Sequence, residues 1–154
     1  MRHWLMKTEP TVFSFDDLMK APGRKTHWEG VRNYQARNLM RDEFRRSDRV
    51  LIYHSNTEEP AVVGLAEVAR EGYPDTTALD PRSKYFDPKA KGESPWIMVD
   101  IRAVAPLTPI TRDMLRANRA TSGMMVLKRG ARLSVQPVTE REFREICRLG
   151  GVAG

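Results

Sequence analysis

Residues 96–105 constrain the fold more than any other stretch of this chain, because their side chains alternate without a break. Ile97, Val99, Ile101 and Ala103 fall on one side, and Met98, Asp100, Arg102 and Val104 on the other. A period of two belongs to a β-strand, whose successive side chains point to opposite faces, so the segment predicts a strand inside a sheet. Further β-rich runs lie at 3–7, stopped by Pro10, and at 49–55, 61–70 and 132–136. The polar turn from Asn56 to Pro60 predicts an antiparallel hairpin. Helices are predicted where caps precede apolar spacing. Ser14 opens a short one that Pro22-Gly23 ends, another covers 111–118, and the capping box Thr139 to Glu142 starts the last. Many strands with few regular βα alternations predict an α+β chain, a compact mixed sheet or small β-barrel flanked by helices, and not a doubly wound sheet.

At 154 residues the chain suits one core that buries about two thirds of its unfolded surface, so a single domain over 1–150 with a short tail at 151–154 is expected. A composition of 40% hydrophobic and 30% charged residues argues against disorder. The apolar runs around Val62 and Ile97 fall well short of the ~20 residues that cross a bilayer. Arg2 and Lys7 bracket too few apolar residues for a secretory signal, and a cytoplasmic protein without a membrane partner is expected. The single cysteine, Cys147, excludes an internal disulfide and a cysteine-rich zinc site. It sits on the apolar stripe of the last helix, as a buried, inert thiol would. Net charge is +6, and its distribution says more: residues 24–49 hold eight Arg or Lys against four Asp or Glu, while 139–148 hold three of each sign.

That basic region contains the run Trp28-Glu29-Gly30-Val31-Arg32-Asn33-Tyr34-Gln35-Ala36-Arg37-Asn38. It reads as a turn opening a helix that Asn33 caps and that continues to Phe44. Ala36, Met40 and Phe44 point inward with Leu39 beside them, and Tyr34, Arg37 and Arg41 lie on another face. Flat rings stack on nucleobases for roughly 1 to 3 kcal/mol each, amides read base edges, and guanidinium groups hold phosphates. Trp28 has a simpler reading as a core side chain covering one end of a barrel; the density of recognition groups beside it is what packing does not require. The segment 72–95, with four prolines and the aromatics Tyr73, Tyr85 and Phe86, predicts a long surface loop of the kind that rims a site.

Enzymatic signatures are scarce. There is no Gly-rich phosphate loop, no G-x-S-x-G elbow, no HExxH and no paired metal-ligand spacing, so no catalytic residue, metal or cofactor is assigned. His3, His27 and His54 are scattered, and His54 in a strand reads as packed or hydrogen-bonded before it reads as a general base. Asp100, on the polar side of its strand, reads first as ion-paired or solvated.

Four runs carry a resemblance: Trp4-Leu5-Met6-Lys7-Thr8-Glu9-Pro10, Gly30 to Asn38, Tyr53-His54-Ser55-Asn56 and Leu133-Ser134-Val135-Gln136-Pro137-Val138. Together, in order, from Trp4 to about Leu149, they resemble the EVE domain. The resemblance implies a PUA-like fold, a small closed or nearly closed mixed β-barrel flanked by helices and related to YTH and ASCH domains. It also implies a non-catalytic reader of a modified, flipped-out base in DNA or RNA, a modified cytosine or similar, held in an aromatic-walled pocket. At matching positions Trp28 and Tyr34 would be walls, Asn33 and Ser55 polar contacts, and Tyr53, His54 and Gln136 parts of the floor. Arg32 and Arg37 would serve the strand backbone or brace the pocket, supported by Lys7 and Asn38. Thr8 stands where serine is more usual, which keeps the hydroxyl and adds a methyl. No long basic N-terminal extension accompanies the motifs, as in a compact bacterial-type member. The implied partners are the modified nucleic acid and other nucleic-acid-processing proteins. The alternatives are a nuclease or base-modifying hydrolase using His54 or Asp100, and an adaptor for a small molecule or protein that uses the 72–95 loop.

Overall fold

Strand β1 (His3–Thr8) divides its side chains between two apolar clusters, and this division sets the layers of the molecule. In the computed structural model, which describes residues 1–130 and 132–153, Trp4 and Met6 enter one cluster and Leu5 the other. Strand β3 (Arg49–His54) repeats the pattern, with Val50 and Ile52 in the first cluster and Leu51 and Tyr53 in the second. Strands apolar on both faces need a covering layer on each. Helices α1 (Phe15–Lys20) and α2 (Tyr34–Asp42) supply one through Phe15, Leu18, Ala36 and Met40. Helices α3 (Arg112–Ala117) and α4 (Glu140–Gly150) supply the other through Leu115, Phe143, Ile146 and Cys147. Cys147 is buried as expected, and burial pushes its thiol above the ordinary value. No helix among the described residues is long and apolar enough to cross a membrane.

Six strands form one mixed sheet in the order β2-β5-β4-β3-β1-β6, in which β1 and β3 are parallel and every other pair is antiparallel. Strands β4 (Ala61–Pro74) and β5 (Ile97–Thr111) are the longest, and their pairing shifts register at four places. Each irregularity bends and twists the ribbon. Gly64 lies at one of them, and a Cβ there would fall inside the Phe15 ring, so the close approach of α1 depends on its absence. The bending brings β2 (Lys25–Trp28) round toward the segment that leads into β6 (Val135–Val138), and residues from both ends of the strand order line one cleft. The α+β, PUA-like arrangement expected from the sequence is therefore the one adopted.

Several boundaries differ from expectation. Trp28 does not lie in a turn but ends β2, a four-residue strand too short and too polar to show alternation. Strand β4 continues through residues 72–74 of the segment expected to be loop, and Asp75 then caps a 3-10 turn at Thr76–Leu79. Strand β5 runs on to Thr111 despite Pro106 and Pro109. Its β2 partner pairs only with Val99 to Arg102, so one side of the far half has no ladder to that strand, and a missing N–H is tolerated. Strand β6 begins at Val135 and includes Pro137, which an end strand also tolerates. Helix α2 stops at Asp42, and Phe44 is fully buried just beyond it. Of the 151–154 tail, Gly151 caps α4 in a left-handed conformation, and Gly154 lies outside the described residues.

Candidate functional site

A cleft of about 560 Å³ opens where the end of β1, the segment after it, β2 and residues Lys84 and Tyr85 meet. That volume lies within the ~300 to 1,000 Å³ usual for small-molecule sites. Trp28 lines it half-buried, and the Phe13 ring stands edge-on at 6.2 Å and 87°. Thr8 Oγ1 donates to the Phe13 carbonyl at 2.7 Å, which ties the segment carrying Phe13 to β1, so the hydroxyl kept by Thr8 is used. Gly30 has φ +83°, and the Tyr85 ring lies where its Cβ would be, so glycine is required for both conformation and space.

Arg32 and Asp75 lock this corner. Asp75 is fully buried; its Oδ2 accepts from Gly30 N–H at 2.9 Å and from Arg32 Nη1 at 3.0 Å, and its Oδ1 accepts from Thr77 N–H at 3.0 Å. Burial alone would push the Asp75 carboxyl up, but the bonds from Thr77, Gly30 and Arg32 outweigh it and hold the group below its ordinary range. Arg32 Nη2 also donates to the Tyr85 carbonyl at 2.8 Å, so the guanidinium that lines the cleft braces the loop opposite it. Lys7 also lines the cleft, and burial lowers its ammonium below the ordinary value. The basic run at 24–49 does not converge here. Of its eight Arg and Lys residues only Arg32 lines the cleft, where Glu9 and Glu29 stand beside Lys7 and Lys84. Sequence proximity misled because the other seven are placed outside the lining; on α2 Arg41 pairs with Asp42 at 2.8 Å, and on β3 Arg49 pairs with Glu67 at 3.4 Å.

The structure brings Trp28, Arg32 and Lys7 of the expected set together and places the rest outside the lining. Asn33 caps α2, its side chain accepting from Ala36 N–H at 3.0 Å. Tyr34, 59% exposed, stacks on Trp96 with centroids 4.7 Å apart. Arg37 donates to Asn38 Oδ1 at 3.0 and 2.7 Å and to the Pro95 carbonyl at 3.1 Å. Tyr53 and Gln136 are buried, the latter donating to the Leu133 carbonyl at 2.8 Å, and Ser55 N–H donates to the Thr8 carbonyl at 3.0 Å. His54 Nε2 accepts from Phe15 N–H at 3.1 Å, and burial lowers its pKa, so the lone pair a general base needs is occupied. Asp100 is buried on the face of β5 opposite Val99 and Ile101, where the Tyr73 hydroxyl donates to it and His27 Nδ1 lies 2.9 Å away. Burial pushes its carboxyl up, but His27 and Tyr73 outweigh that and lower it. Phe13, Lys84 and the supporting Asp75 had no individual signal, whereas Tyr85 was legible as an aromatic of the rim loop and Ser134 as part of the last motif. Among the described residues no cluster of His, Cys, Asp or Glu could hold a metal ion.

The EVE domain profile matches residues 2–149. This chain belongs to the EVE domain family. The EVE chain is 39% identical to human thymocyte nuclear protein 1 over 160 residues, which cover 92% of this chain and 70% of the human protein. Among solved structures it superposes on a hypothetical protein from Leishmania major with a TM-score of 0.91 and 48% identity, covering 98% of this chain and 95% of that one. It superposes equally well, with a TM-score of 0.91, 34% identity and full coverage of both chains, on the human THYN1 protein in complex with 5-methylcytosine containing DNA.

Proposed function

We propose that this EVE domain is a non-catalytic nucleic-acid-binding module that reads a modified base, with 5-methylcytosine as the first candidate, by taking the everted base into the cleft beside Trp28. The observation that carries the reading is the similarity, over the whole of this chain, to the human THYN1 chain solved in complex with 5-methylcytosine containing DNA. The cleft supports it chemically. Trp28 offers a stacking face, Phe13 and Val12 offer apolar surface to a methyl group, and Lys7 and Lys84 offer positive charge to the strand. Everting a base costs a few kcal/mol, least from single strands, and stacking plus phosphate contacts must recover it. One buried methyl contributes about 0.8 kcal/mol, roughly a fourfold preference, so sharper discrimination has to come from the fit of the whole cleft.

The test is a panel of otherwise identical single- and double-stranded DNA and RNA oligonucleotides carrying different cytosine and adenine modifications, with binding read by fluorescence anisotropy. At least one modified member should bind tighter than its unmodified twin. Trp28→Ala should weaken that binding by roughly 1 to 3 kcal/mol while the melting temperature shows a folded domain. Equal affinity for all members, or a folded Trp28→Ala variant that binds as well as the wild type, would refute the proposal. Sizing the oligonucleotide after incubation with and without divalent metal checks the absence of cleavage.

A further inference from the structure

Two residues that the sequence placed in the pocket and the structure placed outside its lining, Tyr34 and Arg37, end a continuous series that starts at the cleft. Lys84 Nζ lies 5.1 Å from the centroid of Tyr85, whose ring packs on Gly30 at the cleft. The Arg32 guanidinium carbon is 5.9 Å from the Tyr85 centroid on one side and 5.5 Å from that of Trp96 on the other. Trp96 is almost wholly buried and held by its Nε1, which donates to Asp87 Oδ2 at 2.8 Å. Tyr34 stacks on it with 28° between the planes, and the Arg37 guanidinium carbon lies 4.8 Å from the Tyr34 centroid. Cations and rings thus run in contact from the cleft to the first turn of α2, with the stacked pair Trp96 and Tyr34 between Arg32 and Arg37.

The outer members are presented rather than packed. Tyr34 is 59% exposed on a helix whose opposite face, Ala36 and Met40, provides the burial. Arg37 is held by Asn38 and the Pro95 carbonyl through its donor edges, which fixes the guanidinium over the ring, and it forms no ion pair with a carboxylate among the described residues. Immobilised aromatic rings and guanidinium planes are surfaces on which unpaired bases stack, irrespective of base identity. Phosphate recognition alone would not need the Trp96–Tyr34 stack beneath the arginine.

We propose that Tyr34 and Arg37 form a second stacking platform, which takes an unpaired nucleobase neighbouring the everted one, so that the strand leaves the cleft on one side along Arg32 and Trp96. The proposal rests on the base-reading function above and adds a flanking subsite to it. The platform makes binding depend on a flank on one side of the modified base, and on that flank having bases.

The experiment uses single-stranded DNA with one 5-methylcytosine carrying an unmodified flank on its 5′ side only, on its 3′ side only, or on neither, together with versions whose flank is made of abasic sugar-phosphate units. Wild-type protein should gain about fivefold to a hundredfold in affinity from one of the two flanks, the range that base stacking supplies. The abasic flank, Tyr34→Ala and Arg37→Ala should each remove most of that gain and leave the unflanked ligand bound as before. Tyr34→Phe, which keeps the ring, should retain it. An abasic flank as good as a natural one, or a folded Tyr34→Ala variant that keeps the gain, overturns the platform. Trp28→Ala separates the two readings. It acts on the unflanked ligand if the cleft holds the modified base, and failure there with a flank effect intact would refute the cleft and not the platform.

Discussion

Arg32, expected from the resemblance either to serve the strand backbone or to brace the pocket, is committed to bracing. Its guanidinium neutralises a carboxylate with no exposure to water, and removing one partner of such a pair leaves an uncompensated buried charge. Arg32→Met should therefore cost roughly 3 to 5 kcal/mol of stability, read from the urea midpoint, and loosen the Tyr85 side of the cleft. The linkage to pH has a definite sign. The folded Asp75 carboxyl lies below its unfolded value of about 3.9, so its contribution is complete above that pH and is lost as pH falls through the folded value. Between neutral pH and pH ~3 the wild type should lose more stability than Asp75→Asn, which has no carboxylate there to protonate. Asp75 was invisible beforehand because an acid in a proline-rich loop carries no mark of burial. Gly30 was legible as part of a motif, but its reason, a positive φ with the Tyr85 ring on its α-carbon, is tertiary.

Helix α2 illustrates the same division between elements. Its inward face, its start at Asn33 and its outward Tyr34 and Arg37 followed from spacing alone, because the period of a helix is printed in the sequence. The direction of its outward face was not printed. Asn33 gives an experiment that separates capping from base contact. Asn33→Ala should cost about 0.5 to 2 kcal/mol through the lost cap, whereas Asn33→Ser, which keeps an acceptor at the cap, should restore stability. Oligonucleotide affinity should return with stability in Asn33→Ser. Affinity that stays low in that stable variant would place the amide on the ligand. Strand β2 escaped notice for the opposite reason to α2: four residues with no apolar alternation become a strand only because β5 offers them a ladder. The continuation of β4 and β5 past Arg70 and Ala105 has the same origin, since each long strand extends as far as the other pairs with it.

For the molecule as a whole, a net charge of +6 and a cleft of mixed sign set the expected salt response. Affinity for a modified oligonucleotide should fall linearly on a log-log scale, by about 0.7 to 0.9 for each phosphate neutralised. Lys84→Ala should flatten the slope by about one such step, and a slope that is flat in the wild type would mean that the strand backbone contributes little. The sequence by itself determined the strands with a clear period, the capped helices, the α+β class and the family, because periodicity and caps are local and four motifs in order survive without knowledge of contacts. The tertiary structure alone decided which residues share a cleft. Residues 7, 13, 28, 85 and 134 meet only because register shifts curl the sheet until its two ends face each other, and that curvature belongs to pairing between strands far apart in the chain.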